Sequence, residues 1–144
     1  MPSEHMLKGV ITPGWEEHID QHVDQLANLP GLDRDILDFS TFSLDMVEGR
    51  ILSRWDNKSF QEQRAALFSP LLAYAGEIVR RSVFEGAWLI TKDEETGTLE
   101  PWIVDEYDRK YYIMGLVVPF INDLNNLCLR ARVEVIPKLP KKMR

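Results

Sequence analysis

The stretch from Phe68 to Lys92 constrains the fold most, because its apolar spacing changes from a helical to a strand period at Gly86. Before Gly86, apolar residues recur every three or four positions, which is typical of the buried face of an α-helix. After Gly86 they alternate, with Trp88 and Ile90 on one face, as in a half-buried strand. We expect Gly86 to end the helix with a positive φ, which glycine adopts without strain. The other elements are then expected to pack around this helix and strand.

Two neighbouring residues in the predicted helix, Gly76 and Glu77, carry specific expectations. Glycine in a helix interior costs about 1 kcal/mol relative to alanine, and the close approach of another backbone would offset that cost. Glu77 lies three and four residues before Arg80 and Arg81, a spacing that predicts an ion pair. A buried glutamate can also act as a general acid or base. An enzyme that uses Glu77 with Arg80 or Arg81 is therefore an alternative interpretation.

Helices are predicted on the N-terminal side of this stretch. Trp15 begins an amphipathic segment with an acidic opposite face, and Pro70 is expected either to kink or to restart the helix that contains it. The predicted elements are a helix over 15–29, one turn over 32–38 capped by Asp33, a helix over 44–55 with Ser43 as its N-cap, and a third helix opened by a capping box from Ser59 to Glu62.

A β-meander is predicted on the C-terminal side. Strands are expected over 87–92, 98–105 with Trp102 and Val104, and 111–114. Pro101 predicts that the second strand lies at the edge of the sheet or is bulged, because proline cannot donate to a β-ladder. The meander is expected to bury its aromatic face on the helices.

The last predicted element admits two interpretations. Length favours a helix from Pro119 to about Arg132, whereas the alternation from Leu127 to Val135 fits a strand. We predict the helix, and with it a single α+β domain over 1–144. In that domain, N-terminal helices pack on a small antiparallel meander, a C-terminal helix follows, and the ends 1–14 and 137–144 are irregular.

No catalytic, metal or cofactor site is predicted. His18 and His22 are four residues apart, which suits a metal on one helix face, but Ile19 stands where a zincin has glutamate, and we interpret the histidines as a surface pair. His5 lies in the predicted irregular end. Cys128 stands in an apolar-periodic segment far from the histidines and is interpreted as a buried, inert thiol. No glycine-rich phosphate-binding motif occurs.

The charge is distributed unevenly along the chain. Residues 130–144 hold six basic residues against Glu134 alone, a charge of +5. The other 129 residues carry a charge of −11, which gives the overall −6. Such an acidic body argues against nucleic acid as a partner and favours a basic protein. The predicted partner-binding residues form an acidic rim at the strand ends, composed of Asp93, Glu94, Glu95, Asp105, Glu106 and Asp108.

A resemblance adds to this interpretation. The run AYAGEIVRRSVFEGAWLI, a hairpin and then VVPFINDL resemble families of small uncharacterised bacterial α/β proteins, some of which look like immunity proteins of toxin systems. The resemblance covers about a third of the chain, and its matching positions are Gly76, Glu77, Gly86, Trp88, Pro119 and Phe120. It implies a binding protein that neutralises a toxin domain.

The cellular compartment follows from three absences in the sequence. No apolar run approaches the roughly 20 residues that span a bilayer, no apolar signal core follows Met1, and a single cysteine cannot form an internal disulfide. We therefore expect a cytoplasmic protein without a membrane partner, and the acidic charge and the resemblance together predict that it inhibits a toxin. A structural subunit of a larger assembly is the remaining alternative, and the sequence leaves the oligomeric state open.

Overall fold

The fold was analysed in a computed structural model, which describes residues 14–29, 32–54, 57–83, 85–122 and 129–135. In chain order, its elements are a 3₁₀-helical turn (Trp15–His18), α1 (Ile19–Ala27), α2 (Ser43–Arg54), α3 (Asn57–Ser82), β1 (Ala87–Lys92), β2 (Leu99–Val104), β3 (Lys110–Tyr112), α4 (Met114–Asn122) and α5 (Leu129–Val135). The predicted α+β class is confirmed. None of the described helices is both long and apolar enough to cross a membrane.

The first helical segment has the predicted amphipathic character. Trp15, Ile19, Val23 and Leu26 are all buried, and the acidic residues on the other side are exposed. α1 packs against α3, the long central helix. Asp33 caps the following turn as predicted, because its Oδ1 accepts a hydrogen bond from the Ile36 amide at 3.0 Å.

The start of α2 differs from the prediction that Ser43 is its N-cap. Ser40 performs that role: its Oγ accepts a hydrogen bond from the Ser43 amide at 3.1 Å. The hydroxyl of Ser43 turns inward instead, where it donates to the Ser40 carbonyl and bonds the Tyr74 hydroxyl. The residues between them form a tight turn with i→i+3 hydrogen bonds, which moves the cap three residues towards the N-terminus.

α3 is one continuous helix. It begins at Asn57, so the predicted capping box opened by Ser59 does not mark its start. Pro70 is buried inside α3, which continues through it, so a restart of the helix at Pro70 is wrong. A proline within a helix costs about 3 kcal/mol or more. The completely buried neighbours Phe68 and Leu72 supply core packing on both sides of the proline that offsets this cost.

The two glycines of the central stretch have different roles from those predicted. The positive φ after α3 falls on Glu85 (φ 53°) rather than on Gly86. Gly86 is needed for space, because a Cβ there would lie 2.3 Å from the carbonyl oxygen of Arg80. At Gly76 an aromatic ring approaches rather than a backbone: a Cβ there would lie 2.2 Å from Cη2 of Trp88.

The sheet is an antiparallel meander in the order β1–β2–β3. β2 is therefore the central strand, and the prediction that Pro101 places it at the edge is wrong. Its register is continuous, and Pro101 lies opposite Ile90. β3 pairs only with 102–104, so on that side β2 has no partner at Pro101. The missing amide of Pro101 therefore leaves no ladder hydrogen bond unmade.

The two faces of the sheet divide the aromatic residues that were predicted to be buried together. Trp88 is opposite Ile103 and Tyr111 in register, and this face covers α3. Trp102 is opposite Leu89 and Tyr112, and these three residues therefore lie on the other face. The predicted burial of the aromatic face on the helices is thus wrong for Trp102, whereas the partly buried Tyr112 also packs against the core.

The described residues after β3 are helical, as predicted, with different boundaries. β3 ends at Tyr112 and α4 begins at Met114, so Pro119 lies inside α4 and not in its first turn. α5 contains the second half of the alternating segment, and Leu129 and Val133 are buried on one helix face. Glu48 of α2 accepts a hydrogen bond from the Leu129 amide. Residues 1–13 with His5, Cys128 and residues 136–144 lie outside the described residues, and the expectations for them stay predictions.

Candidate protein-binding surface

Glu77 is the centre of a hydrogen-bonded cluster between α3 and β1. Its Oε1 accepts hydrogen bonds from both Nε and Nη2 of Arg80, the first at 2.9 Å, and lies 3.4 Å from Nε of Arg81. Its Oε2 accepts the indole N–H of Trp88 at 2.8 Å. The predicted ion pair is thus present, and the Trp88 hydrogen bond is an addition that helical spacing could not show.

The protonation of Glu77 follows from these contacts. Burial alone would raise the pKa of this carboxyl, but the hydrogen bonds from Arg80, Trp88 and Arg81 outweigh burial and hold the pKa below its usual range. A general base or acid at neutral pH needs a pKa closer to 7. The arrangement therefore favours a structural carboxylate over the catalytic alternative.

Trp88 also joins the cluster to the first helical segment. Its ring meets that of Trp15 edge to face with centroids 5.9 Å apart, and Trp15 stacks on His22 at 4.6 Å. His22 is therefore half-buried rather than one member of a surface pair, whereas His18 is exposed. Burial lowers the pKa of His22, which favours the neutral ring in this stack. Among the described residues, no group of three or more potential ligands could hold a metal ion.

Asp105, one of the predicted rim residues, is buried and supports the β2–β3 turn. The residue is 5% exposed. Its Oδ1 accepts the amides of Tyr107 and Arg109, and its Oδ2 accepts Nε of Arg109 at 2.6 Å and the Tyr111 hydroxyl at 2.7 Å. Burial would raise the pKa of Asp105, but these hydrogen bonds lower it to about 2. Both oxygens of this carboxylate accept hydrogen bonds within the turn and β3, and the side chain is not accessible to a partner.

The remaining rim residues lie in two separate groups. Glu94 and Glu95 are exposed in the β1–β2 turn, where the half-buried Asp93 uses its Oδ1 to accept the Glu95 amide at 2.8 Å. Glu106 and Asp108 are exposed in the β2–β3 turn. β2 separates the two turns, and six residues at about 3.4 Å each place them about 20 Å apart.

An aromatic surface lies between these two acidic turns. We call it the outer face, defined by Leu89, Trp102, Val104 and Tyr112, which lie on the sheet side opposite to α3 and are half-exposed. The rings of Trp102 and Tyr112 are 5.0 Å apart, and the indole N–H of Trp102 donates to the Thr91 hydroxyl at 2.9 Å. The rings are thus fixed before any partner binds.

A further exposed aromatic residue lies within the second acidic turn. Tyr107 is 58% exposed, and the guanidinium of Arg109 lies 4.8 Å from the centroid of its ring. The alternation of apolar residues in the sequence placed Trp102 and Val104 on one face of the strand. Only the register shows that this face lies opposite to the helices, and that the acidic turns flank it.

The chain was also compared with known proteins. No family model, no curated protein and no solved structure matched it. The interpretation of the outer face therefore depends on its own geometry and charge.

Proposed function

We propose that this protein is a cytoplasmic inhibitor that binds a basic protein partner through the outer face, as an immunity protein of a bacterial toxin system does. The observation that carries this proposal is a fixed pair of half-exposed aromatic rings, Trp102 and Tyr112, with exposed carboxylates at both ends of the sheet. Protein interfaces commonly combine aromatic residues at the centre with a polar rim.

The two parts of the surface have different roles in binding. Trp102 and Tyr112 supply the buried centre, where a few aromatic residues commonly carry most of the binding free energy. Glu94 and Glu95 at one end, with Glu106 and Asp108 at the other, attract a basic partner before contact. Rim charges of this kind act mainly on the association rate and on its dependence on salt. The partner is inhibited because the bound protein covers its functional surface.

The test measures association kinetics with a basic toxin domain over a series of salt concentrations. One variant carries Glu94→Gln and Glu95→Gln, and the control carries Glu16→Gln and Glu17→Gln, which removes the same charge from another exposed site. Asp93 and Asp105 stay unchanged because they hold the turns. We expect the rim variant to associate more slowly with a flatter salt dependence, and the control to change less.

Two results would count against the proposal. Equal kinetics for the rim variant, the control and the wild type would show that the rim charges do not steer the partner. A stable complex whose association is insensitive to salt would instead favour the alternative, a structural subunit of a larger assembly.

A further inference from the structure

The outer edge of β1 presents backbone groups that no described strand pairs. The Asp93 amide bonds the Thr98 carbonyl at the start of the β1–β2 ladder. Because hydrogen-bonded and non-hydrogen-bonded pairs alternate in an antiparallel ladder, Leu89 and Thr91 bond β2. The N–H and C=O groups of Trp88, Ile90 and Lys92 therefore point away from β2.

The β1 edge lacks the features that usually protect an edge strand. Short length, prolines, charges and bulges normally prevent an edge from pairing with another chain. The opposite edge, β3, is protected in this way because it has three residues and begins with Lys110. β1 has six residues in continuous register, and its side chains are uncharged until Lys92. An edge of this kind is suited to accept a further strand.

Charge determines which strand fits this edge. Glu85 precedes β1, and Asp93, Glu94 and Glu95 follow it, whereas Lys92 is the one basic residue between 85 and 100. An added strand that runs along β1 would meet carboxylates at both ends. A strand with an uncharged centre and basic ends complements this pattern.

Pairing with β1 of a second copy is disfavoured by the same charges. In an antiparallel pair of two copies, the Glu85 end of one β1 strand lies beside the Asp93–Glu95 end of the other. Bringing these like-charged ends together disfavours the pair.

We propose that β1 binds an extended segment of the basic partner as a fourth strand of the sheet. This inference rests on the proposed function and specifies how the partner is recognised. The segment has an uncharged, strand-forming centre of about five residues and a lysine or arginine at each end, in keeping with β-strand addition at an open edge. The side chains of the segment that lie on the same side of the sheet as Leu89 and Thr91 extend the outer face.

The test uses synthetic peptides and hydrogen exchange of individual backbone amides. The probe has a Thr-Val-Thr-Val-Thr centre with two lysines at each end, and the control peptide has glutamates in place of the lysines. Binding should slow exchange at the Ile90 and Lys92 amides about tenfold when the probe is present at nine times its Kd. The Leu89 and Thr91 amides, which already bond β2, are the internal reference.

Variants at one position separate the backbone contact from the side chain. Ile90→Pro removes an outward N–H, and Ile90→Ala removes most of the same side chain but keeps the N–H. We expect the Ala variant to bind the probe and a folded Pro variant to lose it. A probe methylated on alternate backbone nitrogens, which needs no change in the protein, should also lose binding.

Several results would overturn the inference. The inference is wrong if the lysine-ended probe does not slow exchange at the Ile90 and Lys92 amides. It is also wrong if the glutamate-ended peptide slows exchange there equally. Protection without peptide in a protein that sediments as a dimer would show that a second copy occupies the edge. If the peptide fails while the rim variant still slows association with the whole partner, the edge inference falls and the proposed function stands.

Discussion

Replacing Trp88 weakens the junction between α3 and β1, and the contacts of its side chain determine the loss in the free energy of unfolding. The indole packs on Gly76, meets Trp15 edge to face and donates to Glu77. Replacing tryptophan by alanine in a core costs about 3–5 kcal/mol. Trp88 is half-exposed, which lowers the packing part of this cost. Glu77 loses a donor, however, and a buried acceptor left unpaired costs about 1–3 kcal/mol. We expect a total loss of about 3–5 kcal/mol for Trp88→Ala.

Trp88→Phe separates the hydrogen bond from the packing. Phenylalanine keeps an aromatic ring against Gly76 but has no N–H for Glu77, so we expect a loss of about 1–3 kcal/mol. The pKa of Glu77 should rise towards its ordinary value, because one of the hydrogen bonds that lower it is gone. A lowered carboxyl pKa stabilises the fold above the unfolded-state pKa, and this stabilisation is lost as the pH falls through the folded-state value. The cost of Trp88→Phe should therefore be larger at pH 7 than at pH 3.

Urea denaturation followed by far-UV circular dichroism measures both variants, because this signal does not depend on the fluorescence of the replaced tryptophan. The measurement is made at pH 7 and at pH 3. A loss below about 0.5 kcal/mol for Trp88→Ala would refute the reasoning, since that is the usual range for surface substitutions. An equal cost of Trp88→Phe at both pH values would show that the indole hydrogen bond does not affect the pKa of Glu77.

Two further predictions concern a carboxylate and a glycine. Asp105→Asn should destabilise the protein at pH 7, because the low pKa of Asp105 contributes about 2 kcal/mol to stability above pH 5 and nothing below pH 2. The variant should therefore lose less stability than the wild type between pH 5 and pH 2. Acid titration of both proteins measures the difference, and parallel curves would contradict the prediction. Gly86→Ala should cost about 1–3 kcal/mol by thermal unfolding, because the new Cβ would contact the Arg80 carbonyl, and an unchanged melting temperature would show that the turn adapts freely.

The parts of the fold that local spacing determines could be predicted from the sequence. The buried face from Trp15 to Leu26 follows the 3.6-residue period of a helix, and the Glu77–Arg80 pair follows from the reach of side chains across one turn. The change of period at Gly86 likewise predicted the passage from helix to strand. In each case the sequence pattern that carries the prediction is local in the chain.

The features that local spacing does not determine were missed. Alternation showed that Trp102 and Val104 share a face, but the choice between the helix side and the outer side depends on pairing with Trp88 across the turn. Asp105 resembled the solvent-exposed turn carboxylates in sequence, and its burial depends on contacts with Arg109 and Tyr111 that only the turn geometry brings together. The position of the other rim residues at opposite ends of β2 was predicted, because the two acidic turns stand before and after that strand in the sequence.

The cap of α2 was missed for a related reason. Two serines, Ser40 and Ser43, stand at the start of α2, and cap propensity alone does not choose between them. The hydroxyl of Tyr74, far along the chain, bonds Ser43 and leaves Ser40 to cap the turn. A tertiary contact thus decided a local feature.

The most direct test of the central claim is the affinity of Trp102→Ala for the basic partner. Phe42→Ala is the control, because Phe42 is an aromatic residue that is 59% exposed and lies outside the sheet. If the outer face is the centre of the interface, Trp102→Ala should raise Kd by about 30-fold or more, which corresponds to about 2 kcal/mol. Phe42→Ala should leave Kd close to the wild-type value. A folded Trp102→Ala protein that binds the partner as tightly as the wild type would contradict the claim.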